Sequence, residues 1–226
     1  MDLDSTGALK ELQTVRPRLM LADDHTILVE GVRKLLEKDY DVVGVVPDGR
    51  ELVTEATRLQ PDVMVVDIGM PLLNGIEATR QLRHCVPNAK IVILTQQSDQ
   101  AYVREAFRAG ATAYLLKQTA SAELLLALRQ VLEGFYYVSQ SLASGDLAKL
   151  DPRINPASHF DQHLTPRQRE VLQLIAEGKT AKEVASVLDI SVKTAEFHKS
   201  SIMNELGIRT TAELTRYAIA HGIVQG

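Results

Sequence analysis

The 226-residue chain contains one cysteine, Cys85. That excludes an internal disulfide and fits a reducing compartment. No apolar run approaches the length needed to cross a bilayer. The opening stretch "MDLDSTGALKELQTVR" lacks a basic start followed by an apolar segment, so no secretory signal is expected. An excess of one charge is missing as well: 25 Lys and Arg stand against 29 Asp and Glu, a formal net charge of −4. The chain therefore has no general polybasic character. No internal repeat, low-complexity tract or G-x-G-x-x-G sequence occurs, so a dinucleotide site is unsupported. The expectation is a cytoplasmic protein without membrane association. With 45% hydrophobic residues it can build a core, and its length suits two modest domains.

What is present is a rhythm. Short β-branched runs occur at 18–23 ("RLMLAD"), 41–46 ("DVVGVV"), 62–67 ("DVMVVD"), 89–95 ("AKIVILT") and 111–117 ("ATAYLLK"). Between them lie segments with helical spacing, such as "TILVEGVRKLLEK" and "DQAYVREAFRAG". This predicts an α/β fold: a five-stranded, doubly wound parallel sheet with helices on both faces. The rhythm stops near Gly134. Residues 1–16 read as an N-terminal extension, 17–134 as the sheet domain and 135–160 as a linker rich in serine and proline. Residues 161–226 carry no strand signal and read as a small all-α domain.

In an open parallel sheet, ligands gather at the carboxyl ends of the strands. Here those ends carry Asp23 and Asp24, then Asp67, Thr95 and Lys117. Polar strand ends are common where a strand simply reaches solvent, but nothing structural requires this ordered set of five. Three convergent carboxylates disfavour one another's ionised form unless a cation sits among them. Oxygen ligands with room for water suit Mg²⁺ better than zinc. A carboxylate beside Mg²⁺, a hydroxyl and a lysine is a site built to accept a phosphoryl group. The metal and the ammonium neutralise the transferring oxygens while the carboxylate attacks.

These residues, in the motifs "ADD" (22–24), "VVDIGMPLLNG" (65–75), "LT" (94–95) and "AYLLK" (113–117), resemble the receiver domain of two-component response regulators. The resemblance spans residues 17–134 and implies roles for single positions. Asp67 would be the phosphoacceptor. Asp24 and Asp67 would bind Mg²⁺ directly, Asp23 would assist through water, and the Gly69 carbonyl would complete the protein ligands. Thr95 and Lys117 would hold the phosphoryl oxygens, with Tyr114 as the aromatic switch that moves with Thr95. The family often has a cis peptide after the lysine, here Lys117–Gln118. One departure is Gln96, followed by Gln97, where relatives usually carry a small residue; bulk there bears on phosphodonor entry and on the lifetime of the phosphoryl group.

The C-terminal stretch reads as a short helix near 181–188, a tight turn and a longer helix near 192–206, with Ser191 as N-cap. At about 100° per residue, Lys193, Glu196, Phe197, Ser200 and Asn204 share one face of the longer helix. Ala195, Ile202 and Leu206 lie opposite, and Thr194, His198 and Lys199 on the flanks. An ordinary amphipathic surface helix would show the same apolar stripe, but an aromatic on its polar face would be unexplained. A recognition helix needs this layout, with one face on a scaffold and the other in the major groove. Residues 160–226 hold eight basic and eight acidic residues, so one copy should bind weakly and pairing on a two-part site would help.

"LTPRQREVLQLIAEGKTAKEVASVLDISVKTAEFHKSSIMNELGI" is similar throughout to the LuxR-type helix-turn-helix domain. That resemblance implies Glu196, Phe197 and Ser200 near bases, and Thr180, Lys182, Lys193, Thr194, His198 and Lys199 at phosphates. It also makes 211–224 a dimerising helix. Together the two resemblances imply a transcriptional regulator of the NarL/FixJ-like kind and not an enzyme. A histidine kinase would phosphorylate Asp67, double-stranded DNA would be the target, and phosphorylation would favour a homodimer.

Two rivals stand beside this reading. A Mg²⁺-dependent phosphohydrolase usually needs a second acid two residues after its nucleophile, where this chain has Gly69. A regulator controlled by ligand or protein docking, without phosphorylation, is kept open by Gln96. Other signals are weaker. "AEGKT" lacks the first glycine of a phosphate-binding loop, having Gln173 in its place. His159 and His163 read as a solvated pair, and Cys85 as a packing thiol.

Overall fold

The computed structural model describes residues 16–142 and 164–224. Its strands are β1 (Arg18–Ala22), β2 (Asp41–Val46), β3 (Val63–Val66), β4 (Lys90–Thr95), β5 (Ala113–Leu116) and β6 (Tyr137–Val138). They form one parallel sheet in the order β2-β1-β3-β4-β5-β6. Helices α1 (Thr26–Leu36), α2 (Gly49–Leu59), α3 (Gly75–Cys85), α4 (Gln100–Ala109) and α5 (Ala120–Leu132) join them.

Period-two alternation divides each strand between two cores. Leu19 and Leu21 face α1 and α5, packing with Val32, Leu36, Leu124 and Leu128. Met20 and Ala22 face α2, α3 and α4, packing with Leu52, Ile76, Leu82 and Val103. Both faces of the sheet are covered, which is why the strands read as unbroken apolar runs.

The sheet has one strand more than the five expected. β6 is only two residues long and pairs Tyr137 with Ala113 and Val138 with Tyr114. So short a strand leaves no alternation to read, and it follows Gly134, which leaves α5 at a φ of +96°. Buried Ser139 secures it by accepting from the Leu116 N–H at 3.2 Å and donating to Glu123 at 2.6 Å. The sheet domain thus continues into the segment read as linker. His159 and His163 lie outside the described residues. Cys85 is exposed at the end of α3, where the sequence reading made it a packing thiol; the last turn of that helix faces solvent.

The second domain consists of α6 (Pro166–Ala176), α7 (Ala181–Leu188), α8 (Val192–Leu206) and α9 (Thr211–Ala220). Three of these begin with reciprocal capping boxes: Thr165 with Gln168, Thr180 with Glu183, and Thr210 with Glu213. Each satisfies backbone donors that a helix start leaves open. Ser191 caps α8 by accepting from the Thr194 N–H, as its sequence predicts. The core comprises Leu172, Ile175, Val184, Leu188, Ala195, Ile202, Leu214 and Ala218, among others. Among the described residues, no helix is long and apolar enough to cross a membrane.

Candidate functional site

Backbone pairing at the top of the sheet places the acidic residues. The Asp67 N–H donates to the Ala22 carbonyl at 2.8 Å, and the Asp23 N–H to the Val46 carbonyl at 3.1 Å. The Lys117 N–H donates to the Thr95 carbonyl at 2.8 Å, bringing the last two strand ends to the same edge. Beyond Asp67 the chain turns sharply into α3. The Gly75 N–H donates to the Ile68 carbonyl at 2.9 Å, and Asn74 caps the helix by accepting from Ile76 and Glu77. A side chain at Gly75 would place its Cβ 2.1 Å from the Asp67 carbonyl oxygen, so only glycine fits there.

The Lys117 ammonium donates to Asp23 at 2.8 Å and to Asp67 at 2.9 Å. Asp67 is 1% exposed, and burial raises its carboxyl above the ordinary range. Lys117 and the Gly69 N–H pull the other way without cancelling that rise. Burial alone would lower the Lys117 pKa, but its bonds to Asp23 and Asp67 hold it above its usual value. One oxygen is left over: among the described residues, Asp67 Oδ1 is buried without a hydrogen-bond partner. A desolvated carboxylate oxygen with no donor calls for a cation. Ligand atoms of Asp23, Asp24, His25 and Asp67 all lie within 4.8 Å of one another. This mostly oxygen donor set fits a hard divalent ion.

One participant escaped the sequence reading, and another was read there for its side chain alone. His25 Nδ1 lies 2.9 Å from both Asp23 and Asp24, bridging the adjacent carboxylates. Its position directly after the aspartates was the available signal. Gln97 matters through its main chain: its N–H donates to Thr95 Oγ1 at 3.3 Å, and its carbonyl accepts from the Tyr114 hydroxyl at 2.9 Å. Side-chain chemistry could not reveal it. Tyr114 is fully buried, and burial pushes its phenol far above the ordinary value, so the hydroxyl remains a donor. The Lys117–Gln118 peptide is trans, not the cis form that the resemblance suggested.

On α8 the exposed residues include Lys193, Glu196, Phe197, Ser200 and Asn204, the same face that helical spacing gives. Ala195 and Ile202 are buried opposite, and Thr194, His198 and Lys199 are half-buried flanks. Phe197 is 68% exposed, with its ring edge-on to His198. Thr180 and Lys182 lie at the start of α7, where the Thr180 hydroxyl is engaged in its capping box. The Lys199 ammonium donates to Thr211 at 3.0 Å.

Two families match this chain. The response regulator receiver domain matches residues 19–129, and the luxR family of bacterial regulatory proteins matches residues 162–218. The transcriptional regulatory protein MctR of Rhizobium johnstonii is 34% identical over 215 residues, covering 93% of this chain and 98% of its own. The chain belongs to the LuxR-type response regulators. The oxygen regulatory protein NreC of Staphylococcus aureus, another similar regulator, is 35% identical over 92% of this chain and 99% of its own. Among solved structures, the response regulator RcsB of Salmonella typhimurium aligns with a TM-score of 0.62 at 28% identity, covering 91% of this chain and 98% of its own. RcsB has also been solved as two dimers on two parallel DNAs, at a TM-score of 0.54, 29% identity and coverage of 89% and 97%. This response regulator is accordingly a DNA-binding transcription regulator with an N-terminal receiver.

Proposed function

We propose that Asp67 accepts a phosphoryl group from a histidine kinase, with Mg²⁺ held by Asp24, Asp67 and the Gly69 carbonyl and assisted by Asp23. The observation that carries this reading is the orphaned, buried Asp67 Oδ1 beside Lys117. Mg²⁺ bound there would offset the crowding of carboxylates and the charge of the incoming group. Lys117 orients the acceptor through Oδ2, and Thr95 offers a hydroxyl to the phosphoryl oxygens. Drawing Thr95 toward them loosens its bond from the Gln97 N–H. The Gln97 carbonyl then shifts relative to Tyr114, which carries the change toward α4. The cytoplasm is the compartment that fits this phosphorelay.

The DNA partner is read by α8, with Glu196, Phe197 and Ser200 at bases. Thr180, Lys182, Lys193, Thr194, His198 and Lys199 serve the backbone, and α9 pairs two copies on two half-sites. RcsB dimers on DNA support this assembly. Intact mass after incubation with Mg²⁺ and a small phosphodonor tests the acceptor, and footprinting with and without the donor tests the output. A mass unchanged by the donor would refute it.

Two smaller effects follow. Mg²⁺ at a hundredfold excess over its Kd is expected to stabilise the protein by about 2.7 kcal/mol relative to EDTA, a rise in Tm of several degrees. Thermal unfolding with and without the ion measures this. Lys193→Ala is expected to weaken DNA binding evenly across sequences and to reduce the salt slope of log K by about one. Titrations at several salt concentrations read that slope.

A further inference from the structure

The exposed face of α8 carries an uncommon pair for a surface used on DNA: an acid and an aromatic, side by side. Glu196 and Phe197 both face solvent, the phenyl ring 68% exposed. At about 100° per residue they stand on either side of a midline held by Lys193 and Ser200. Ala195 and Ile202, buried on the other side, fix that orientation. Neither Glu196 nor Phe197 belongs to the core of the helical domain. Among the described residues Glu196 makes no ion pair, and the Phe197 ring meets only the edge of half-buried His198, 6.0 Å away between centroids.

α7, the turn over 189–191 and α8 form a helix-turn-helix. The second helix of such a pair offers its N-terminal residues to base edges in the major groove. Glu196 and Phe197 lie in the first half of the 15-residue α8. Each is costly there unless it finds its complement. Phosphates repel a carboxylate that faces a duplex, and an exposed ring leaves apolar surface in water. In the major groove a carboxylate finds a donor in the cytosine N4 amine, and an apolar ring finds the thymine C5-methyl. Adenine suits Glu196 less well, because its N7 acceptor sits beside its N6 donor, and guanine offers two acceptors. Ser200 is small and on the midline, so the helix can approach the groove floor closely enough for its flanking side chains to reach the bases.

We propose that each half-site carries a thymine and a cytosine within roughly two base steps of each other, the thymine methyl covered by Phe197 and the cytosine N4 bonded to Glu196. The inference rests on the reading of α8 as the helix that enters the groove, and adds the chemistry it recognises there. The spacing follows from the helix: consecutive residues differ by about 1.5 Å of rise and 100° of turn, against about 3.4 Å between bases along a strand. Lys193 and the flanking cations add affinity at phosphates without regard to sequence. The Ser200 hydroxyl both donates and accepts, so the position it faces tolerates more than one base.

The full chain, with and without Mg²⁺ and beryllofluoride, is used to select from randomised duplexes, and the selected duplex is then titrated with single changes. Deoxyuridine in place of the thymine removes only the methyl, and is expected to weaken wild-type binding about fourfold per half-site. Phe197→Ala should bind the thymine and uracil duplexes alike, while Phe197→Leu should keep the preference. Exchanging the cytosine for thymine removes the N4 donor and should weaken the wild type roughly tenfold, a difference that Glu196→Ala should flatten. Both side chains are exposed, and circular dichroism confirms that the variants fold. Selected sites without the thymine and cytosine would overturn the proposal, and so would uracil tolerated at every thymine. Should Phe197→Ala bind too weakly to titrate, the wild-type comparison of thymine with uracil decides alone. A wild type that selects no sequence, or a selection left unaltered by both alanine variants, would sink the reading of α8 itself. Variants that alter the selection at other bases would sink only this inference.

Discussion

Asp67→Asn is expected to abolish phosphoryl uptake and, with it, any response of DNA binding to a phosphodonor. The amide nitrogen and oxygen share their electrons, so neither attacks phosphorus as a carboxylate oxygen does, and the metal loses a charged ligand. Basal DNA binding should persist, because the exposed face of α8 does not depend on residue 67. The fold should persist too. Burial raises the Asp67 pKa, so the substitution removes a charge whose desolvation is incompletely offset, and Lys117 keeps Asp23 as a partner. The variant should therefore melt no lower than the wild type in EDTA. Intact mass, footprinting and thermal unfolding check these outcomes, and a phosphoryl group on the variant would mean that the acceptor lies elsewhere.

Gly75→Ala should destabilise the protein heavily for the addition of a single methyl. Its Cβ would sit 2.1 Å from the Asp67 carbonyl oxygen and 3.0 Å from a Val66 methyl, inside the turn that starts α3. Neither neighbour is a flexible side-chain end: one is backbone and the other belongs to the central strand. Relief requires moving the main chain of Asp67 or opening the Asn74 cap. Overpacking of this kind costs about 3 kcal/mol, and a lowering of Tm by roughly 10 °C is expected. Phosphoryl uptake should fall as well, since the turn fixes Asp67 against Lys117. A Tm within a degree or two of the wild type would show that the turn relaxes freely.

Most of the architecture was legible because its signals are periodic. Buried runs such as "VMVV" alternate with amphipathic segments, and strand ends marked by Asp, Thr and Lys point to one edge of any doubly wound sheet. The α8 face was legible for the same reason, since 3.6 residues per turn fixes which side chains share a side. β6 was not, because two residues carry no period. Gln97 was hidden because its contribution is an N–H and a carbonyl that every non-proline residue possesses. Gln173 entered only as a mismatch to a phosphate-loop motif; its partners Met70 and Asn74 lie about a hundred positions earlier, beyond the reach of local pattern. Cys85 was misplaced because a lone thiol has no periodic neighbours to show which way a helix end turns.

The bridge from Thr95 to Tyr114 passes through main-chain atoms of Gln97. The side chains at 96 and 97 take no part in that bridge and, if Asp67 is phosphorylated as proposed, would be free to set how quickly water reaches the acyl phosphate. Duration and output would then be written in separate alphabets, side chain for one and peptide group for the other. On that reading, a lineage of such proteins could retune its clock at these two positions while its wiring stays the same.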